Sequence, residues 1–153
     1  MTKMKKHIFT VFALLMTAGC FAQSPVNWKY FAKKVSDKTY EIHLLANLNE
    51  GWHIYSMKQP MGGIGGAPTT IKFTANPLVV LKGGLKEKGK MEVVKNEEVD
   101  IENHQYEKEV DFVQVIKLKA NVKTNIAGTI EFMVCTEHMC LPVTTVGFNV
   151  EVN

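Results

Sequence analysis

The chain has 153 residues, a length typical of a single domain. Hydrophobic residues make up 46% of it and charged residues 22%, which is ordinary globular usage and excludes a disordered chain, a collagen and a coiled coil. All 18 basic residues are lysines and the formal net charge is only +3, so the sequence has no strongly basic surface of the kind that binds nucleic acid.

The first 22 residues have the layout of a secretory signal peptide. Three lysines precede an apolar run from residue 8 to 17, and small residues follow it. A cut after Ala22 would leave a domain of residues 23–153 with 15 basic and 15 acidic residues. The alternative is a bacterial lipobox ending at Cys20, in which case Cys20 would carry a lipid anchor. No run reaches the roughly 20 apolar residues that a membrane span needs, so no transmembrane helix is expected.

The rest of the chain alternates apolar and polar residues with the period of two that is typical of β-strands. In residues 39–48, for example, Tyr40, Ile42 and Leu44 share one face and His43 lies on the other. Turn signals separate the runs. We predict strands at 27–35, 39–48, 52–56, 69–74, 77–81, 110–118, 128–135 and 144–152. Short strands at this spacing, with no sustained helical period, indicate an all-β antiparallel sandwich.

Two stretches lack this alternation. Residues 57–68 hold four glycines and two prolines. Because a β-type run follows them and not a helix, they predict a crossover loop and not a phosphate-binding loop. Residues 95–111 hold seven acidic residues and two lysines, and they are expected to form a solvated surface loop.

Cys135 and Cys140 carry the strongest chemical signal. Once Cys20 is removed or lipidated, they remain as an even pair in an oxidising compartment, which favours a disulfide. Strand-like runs on both sides place the pair across the tip of a β-hairpin, where opposed Cα atoms lie about 4.5–5.5 Å apart. A ring this short stabilises a fold by only about 2 kcal/mol, so a structural staple and a redox-active bond both stay open.

Three neighbouring residues are candidate modulators of the pair. An imidazolium at His138 would favour a thiolate, and the carboxylate of Glu137 would oppose it. Pro142 cannot donate a strand hydrogen bond and is expected to keep the mouth of the hairpin irregular.

Four segments of the chain point together to one protein family. They are Gly51-Trp52-His53-Ile54-Tyr55-Ser56, the glycine-rich loop ending at Pro68-Thr69, residues 106–112, and Cys135-x4-Cys140-Leu141-Pro142. In combination they resemble the N-terminal periplasmic domain of the thiol:disulfide interchange protein DsbD, here in a stand-alone form. The likeness covers nearly all of residues 25–153. It implies an immunoglobulin-like β-sandwich with a redox pair between its last strands.

The resemblance also implies a function. In that family the pair accepts electrons from a thioredoxin-like protein and passes them to periplasmic disulfide acceptors. The second cysteine forms the mixed disulfides, which is Cys140 here, and Cys135 resolves them. A cap loop shields the pair, and by sequence order it is the acidic stretch, with His104, Gln105 and Tyr106 near its tip. We therefore expect a periplasmic thiol–disulfide oxidoreductase module with thioredoxin-like partners and no cofactor.

Other classes of function stay open from the residues alone. A copper site would use Cys135, His138 and Met139, with His53 or His104 as the upstream ligand. A zinc site would use Cys135, His138 and Cys140, although this spacing is not that of a known finger. We expect no metal site, because Met139 adjoins His138 and fits a copper centre poorly. A scaffold sandwich with an inert disulfide is the remaining class.

Overall fold

A computed structural model describes residues 24–60, 66–98 and 100–153. Within them the chain forms eleven β-strands and no helix, and all the strand pairs are antiparallel. The strands are β1 (Val26–Ser36), β2 (Thr39–Leu48), β3 (His53–Tyr55), β4 (Thr70–Phe73), β5 (Val79–Lys88), β6 (Met91–Asn96), β7 (Ile101–Glu107), β8 (Glu109–Leu118), β9 (Thr124–Phe132), β10 (Val134–Cys135) and β11 (Thr144–Val152). The predicted signal peptide, Cys20 and part of the glycine-rich loop lie outside the described residues.

Most of the core lies between two of the three sheets, and Ile54, Tyr106 and Val134 of the third sheet add to it. One sheet has the strand order β1-β2-β8-β5 and the other has the order β11-β9-β4. Trp28 of β1 contacts Phe132 of β9 edge-on, with ring centroids 5.3 Å apart, and Tyr30 contacts Phe148 of β11. Two sheets whose inner faces interdigitate in this way form a sandwich, so the predicted all-β antiparallel architecture is confirmed.

Strand β5 is longer than its sequence suggested. It was expected to stop before Gly83 and Gly84, but it continues to Lys88. Gly83 has a φ of +66°, and the register with β8 shifts between Lys82 and Lys86. The glycine therefore allows a bulge inside the strand and does not end it.

The acidic stretch is not a loop, and that expectation was wrong. Residues 95–111 contain the end of β6, all of β7 and the start of β8. β6 and β7 form a hairpin, and the described residues between the two strands, 97, 98 and 100, lie in a turn. The strands carry many charges because much of their surface faces solvent. The charged residues interrupt the alternation of apolar and polar positions by which a strand is recognised in a sequence.

A third sheet, with the order β10-β3-β7-β6, carries the two cysteines. β9 pairs with β11 as far as Phe132, and the chain then leaves that sheet. Two residues later it pairs with β3, placing Val134 opposite Ile54 and Cys135 opposite His53. The predicted strand at 128–135 is therefore two strands in different sheets, and this switch brings the cysteine segment to the β3–β7–β6 surface.

Candidate functional site

Cys135 and Cys140 form a disulfide, with their Cα atoms 4.0 Å apart. The turn between them is held by Thr136. Its backbone N–H donates to the carbonyl of Met139 at 2.7 Å, and its Oγ1 accepts from the N–H groups of His138 and Met139, both at 3.2 Å. A hydroxyl that binds the backbone two and three residues ahead stabilises a tight turn. Thr136 therefore keeps the two cysteines opposite each other.

The two cysteines differ in their exposure to solvent. Cys135 ends β10 and is only 1% exposed, whereas Cys140 is exposed. In thiol–disulfide exchange a thiolate attacks one sulfur of the bond, so access decides which sulfur is attacked. The arrangement leaves Cys140 open to an incoming thiolate and keeps Cys135 covered.

An acidic groove surrounds the disulfide. It is lined by strands β3, β6 and β7 and by the turn at residues 136–139. Four carboxylates line it: Glu50, Glu92, Glu107 and Glu137. Among the described residues, no lysine lines the groove. A concave surface lined by charges of one sign concentrates the opposite charge. The groove therefore favours cationic groups near the sulfur atoms.

His53 lies beside the buried cysteine. It is the cross-strand partner of Cys135, and both residues line the groove. Its ring meets the ring of Tyr55 edge-on, and its Nε2 lies 3.5 Å from the Tyr55 hydroxyl. Burial lowers the pKa of His53 below the ordinary 6.5, although Glu107 and Glu92 act in the opposite direction. The imidazole is therefore neutral at pH 7. The sequence had pointed to His53 as a possible copper ligand and as part of a family segment, without a role in thiol exchange.

The C-terminal end of the glycine-rich loop, at Gly66 and Thr69, packs against Tyr55. Thr69 Oγ1 donates to the Tyr55 carbonyl at 2.6 Å, in a buried position. The backbone of Gly66 packs directly against the Tyr55 ring, so closely that a Cβ at this position would overlap the ring atoms. The loop thereby fixes the tyrosine that contacts His53.

Replacing Gly66 by alanine is expected to destabilise the fold by about 1–3 kcal/mol, because the added methyl must displace the buried Tyr55 ring. Chemical denaturation of the purified variant measures this loss. Gly84→Ala is the matched control, since a Cβ there meets nothing within 4 Å, and it should be nearly neutral. Equal stability of the two variants would show that Gly66 does not hold Tyr55.

The structure separates the three residues that were expected at the tip of a cap. All of them lie within β7, so their placement at a loop tip was wrong. Gln105 lines the acidic groove, whereas Tyr106 is 3% exposed and packs in the core. The His104 ring nitrogens contact Glu102 and the carbonyl of Lys58. Gln105 is therefore the one of the three that faces the disulfide groove, and a shielding role stays a prediction.

The other candidate residues lie at the surface. Glu137, His138 and Pro142 are all exposed, and their influence on the thiols stays a prediction. Both sulfur atoms are engaged in the disulfide. Within the described residues, no three His, Cys, Asp or Glu side chains are grouped so that they could hold a metal ion. The ligand sets considered for copper and zinc are therefore not assembled in this state.

The described part of the chain also contains no helix with the length and apolarity that crossing a bilayer requires.

Comparisons with known proteins agree with this geometry. The sequence profile of the family described as thiol:disulfide interchange protein DsbD, N-terminal, matches residues 22–151. The N-terminal periplasmic domain of ScsB from Proteus mirabilis is similar in structure, with 22% identity and a TM-score of 0.54 over 81% of this chain and 44% of that one. The chain thus spans less than half the length of that structure.

A second similar structure is the DsbD N-terminal domain of Neisseria meningitidis in its reduced form. It is 15% identical, with a TM-score of 0.53 over 84% of this chain and 86% of that one. No curated protein sequence matches the chain. At these identities the likeness concerns the fold, and it confirms the immunoglobulin-like sandwich that the resemblance implied.

Proposed function

The chain belongs to the family of DsbD N-terminal domains, which are thiol–disulfide interchange domains, and on that premise we propose that it relays electrons through Cys135 and Cys140. A thioredoxin-like protein would reduce the disulfide, and disulfide-bonded acceptor proteins would oxidise it again. One observation carries the proposal: Cys140 is exposed at an open groove while its partner Cys135 is buried.

The exchange proceeds in two balanced steps. A thiolate of the reductant attacks Cys140 Sγ, a mixed disulfide forms, and Cys135 leaves as a thiolate that takes up a proton. The second thiol of the reductant then attacks the reductant's first sulfur, which is bonded to Cys140 in the mixed disulfide. Cys140 is released as a thiol. The reductant ends as a disulfide, and the domain ends as a dithiol that carries two electrons and two protons. Transfer to an acceptor is the same sequence in reverse.

The periplasm is the proposed compartment. This proposal rests on the signal-peptide pattern of residues 1–22, on the oxidising environment that a stable cysteine pair needs, and on the likeness to a periplasmic domain. Whether Cys20 is removed or lipidated follows from the mass of the mature N-terminus.

Mixing the oxidised domain with a reduced thioredoxin-fold protein tests the proposal. Thiol titration of the separated domain should show two new thiols per chain without denaturant. The Cys140→Ala variant lacks the disulfide, so it is mixed with the oxidised form of the same thioredoxin-fold protein, and it should form no mixed disulfide with it. A disulfide that opens only after the domain is unfolded would point to a structural staple and would contradict the relay.

The acidic groove predicts which small thiols react fastest. At low ionic strength cysteamine, whose thiolate also carries an ammonium group, should reduce the disulfide roughly tenfold faster than a sulfonate thiol, whose thiolate is a dianion, per thiolate present, because several carboxylates repel the dianion and attract the ammonium group. The ratio should shrink as salt is added, since exposed charges are screened. Glu92→Gln combined with Glu137→Gln should lower it as well. An anionic thiol that reacts equally fast would contradict the electrostatic role of the groove.

A further inference from the structure

Cys135 is buried, and its thiol must lose a proton before it can resolve a mixed disulfide. To resolve a mixed disulfide at Cys140, Cys135 must act as a thiolate, because the thiol form is a poor nucleophile. Burial away from water and the carboxylates that line the groove both disfavour a thiolate, and Cys135 is only 1% exposed. A nearby group that accepts the proton would therefore speed the resolving step.

We infer that His53 is the proton acceptor for the Cys135 thiol, an inference that rests on the proposed exchange function. His53 and Cys135 are directly opposed on β3 and β10. Opposed residues of an antiparallel pair project to the same face with Cβ atoms about 4.5–5.5 Å apart, so the imidazole and the thiol are neighbours. Both side chains line the same groove, which gives the proton a path to solvent.

The surroundings of His53 suit this task. Its Nε2 lies 3.5 Å from the Tyr55 hydroxyl, and Glu107 is its cross-strand partner on the side away from Cys135. Burial lowers its pKa against the opposing influence of Glu107 and Glu92, so the ring is in its basic form at pH 7. The other titratable groups that line the groove are Glu50, Glu137, His138 and Tyr55.

Other groups of the groove are less suited than His53. A carboxylate is a weaker base than an imidazole and accepts a proton from a thiol less readily. His138 is exposed on the turn between the two cysteines, whereas His53 is aligned with Cys135 by strand pairing. Alignment by a sheet holds a proton acceptor in a fixed position, and proximity of this kind is what general base catalysis needs.

The step balances in atoms and electrons. A ring nitrogen of His53 takes the proton from Cys135 Sγ, and the resulting thiolate attacks Cys140 Sγ. The bond between Cys140 and the partner sulfur breaks, and the partner leaves as a thiolate with the electron pair. In the opposite direction, when an incoming thiolate attacks Cys140, Cys135 leaves as a thiolate and takes up a proton that solvent delivers through His53.

Stopped-flow oxidation of the reduced domain by one equivalent of an aromatic disulfide, dithiobis(nitrobenzoate), separates the two steps. Attack by Cys140 releases a first nitrothiolate, and resolution by Cys135 releases a second. His53→Gln should leave the first phase unchanged and slow the second by about tenfold or more at pH 7. His53→Phe, which keeps a ring against Tyr55, should behave in the same way.

The pH profile distinguishes proton transfer from a packing effect. In the unmodified domain the second phase should slow as the pH falls through the lowered pKa of His53, because protonation removes the base. Neither variant should show that inflection, and the difference in rate should shrink at high pH, where the thiol ionises unaided. Equal second-phase rates, or an equal slowing of both phases, would overturn the role of His53. The absence of any first phase in the unmodified domain would instead contradict the proposed exchange at Cys140.

Discussion

Replacing Cys140 by alanine should abolish exchange with thioredoxin-like proteins, and replacing Cys135 by alanine should trap a mixed disulfide. The reason is the unequal exposure of the two residues: a partner sulfur reaches Cys140, and Cys135 is the residue that releases it. With Cys135 absent, the bond between Cys140 and the partner has no internal thiol to break it. Non-reducing electrophoresis after mixing with an oxidised partner measures both outcomes.

The two variants serve as controls for each other, because each retains one cysteine and lacks the disulfide. Any loss of stability caused by removing the bond is therefore common to both. Trapping by the Cys140→Ala variant, with none by Cys135→Ala, would reverse the assigned roles. Trapping by neither variant would remove the support for a relay.

Replacing Phe132 by alanine should destabilise the domain by about 3–5 kcal/mol, the typical cost of truncating a buried phenylalanine. Phe132 is 2% exposed and its ring meets Trp28 edge-on at 5.3 Å. It is also the last residue of β9, immediately before the chain turns away towards the cysteines. A cavity at this point therefore weakens the core and the base of the cysteine segment together.

Denaturant unfolding followed by tryptophan fluorescence measures this loss. The control is Glu131→Ala, the preceding residue on the same strand, whose side chain is exposed and whose removal should change the stability by less than about 0.5 kcal/mol. A cost below about 1 kcal/mol for Phe132→Ala would show that the sandwich does not depend on this contact.

Strand positions were predictable where one face of a strand is apolar. β2 and β11 have the bounds that the alternation gave, and Tyr40, Ile42 and Leu44 are buried as expected. β7 was missed because one of its two buried residues is the polar Gln105, so it lacks a plain apolar face.

The burial of His43 was not predictable. It lies on the polar face of β2, yet it is only 7% exposed, because Phe31 stacks on its ring at 4.6 Å. Such burial comes from a neighbouring strand and leaves no local signal.

The cysteine pair was predictable from its spacing and its even number, and Glu137 and His138 follow from their place between the two cysteines. Gln105 was named only through the family resemblance, and the residues that other strands contribute had no such signal. His53 and Glu92 line the groove around the disulfide from strands that are distant in the sequence. The approach of Gly66 to Tyr55 depends on the path of a loop. The exposure of each cysteine depends on the switch of the chain from β9 to β10. These are consequences of tertiary packing, which a local pattern does not encode.

Equilibration of the Cys135–Cys140 pair in redox buffers of known potential tests the central claim most directly. An electron relay that thioredoxin-like proteins reduce should have a potential between about −270 and −180 mV, the range that thioredoxin and protein disulfide isomerase define. A structural bond should lie below about −300 mV. A value in the upper range supports transfer through these two sulfur atoms, and a value below −300 mV would contradict it.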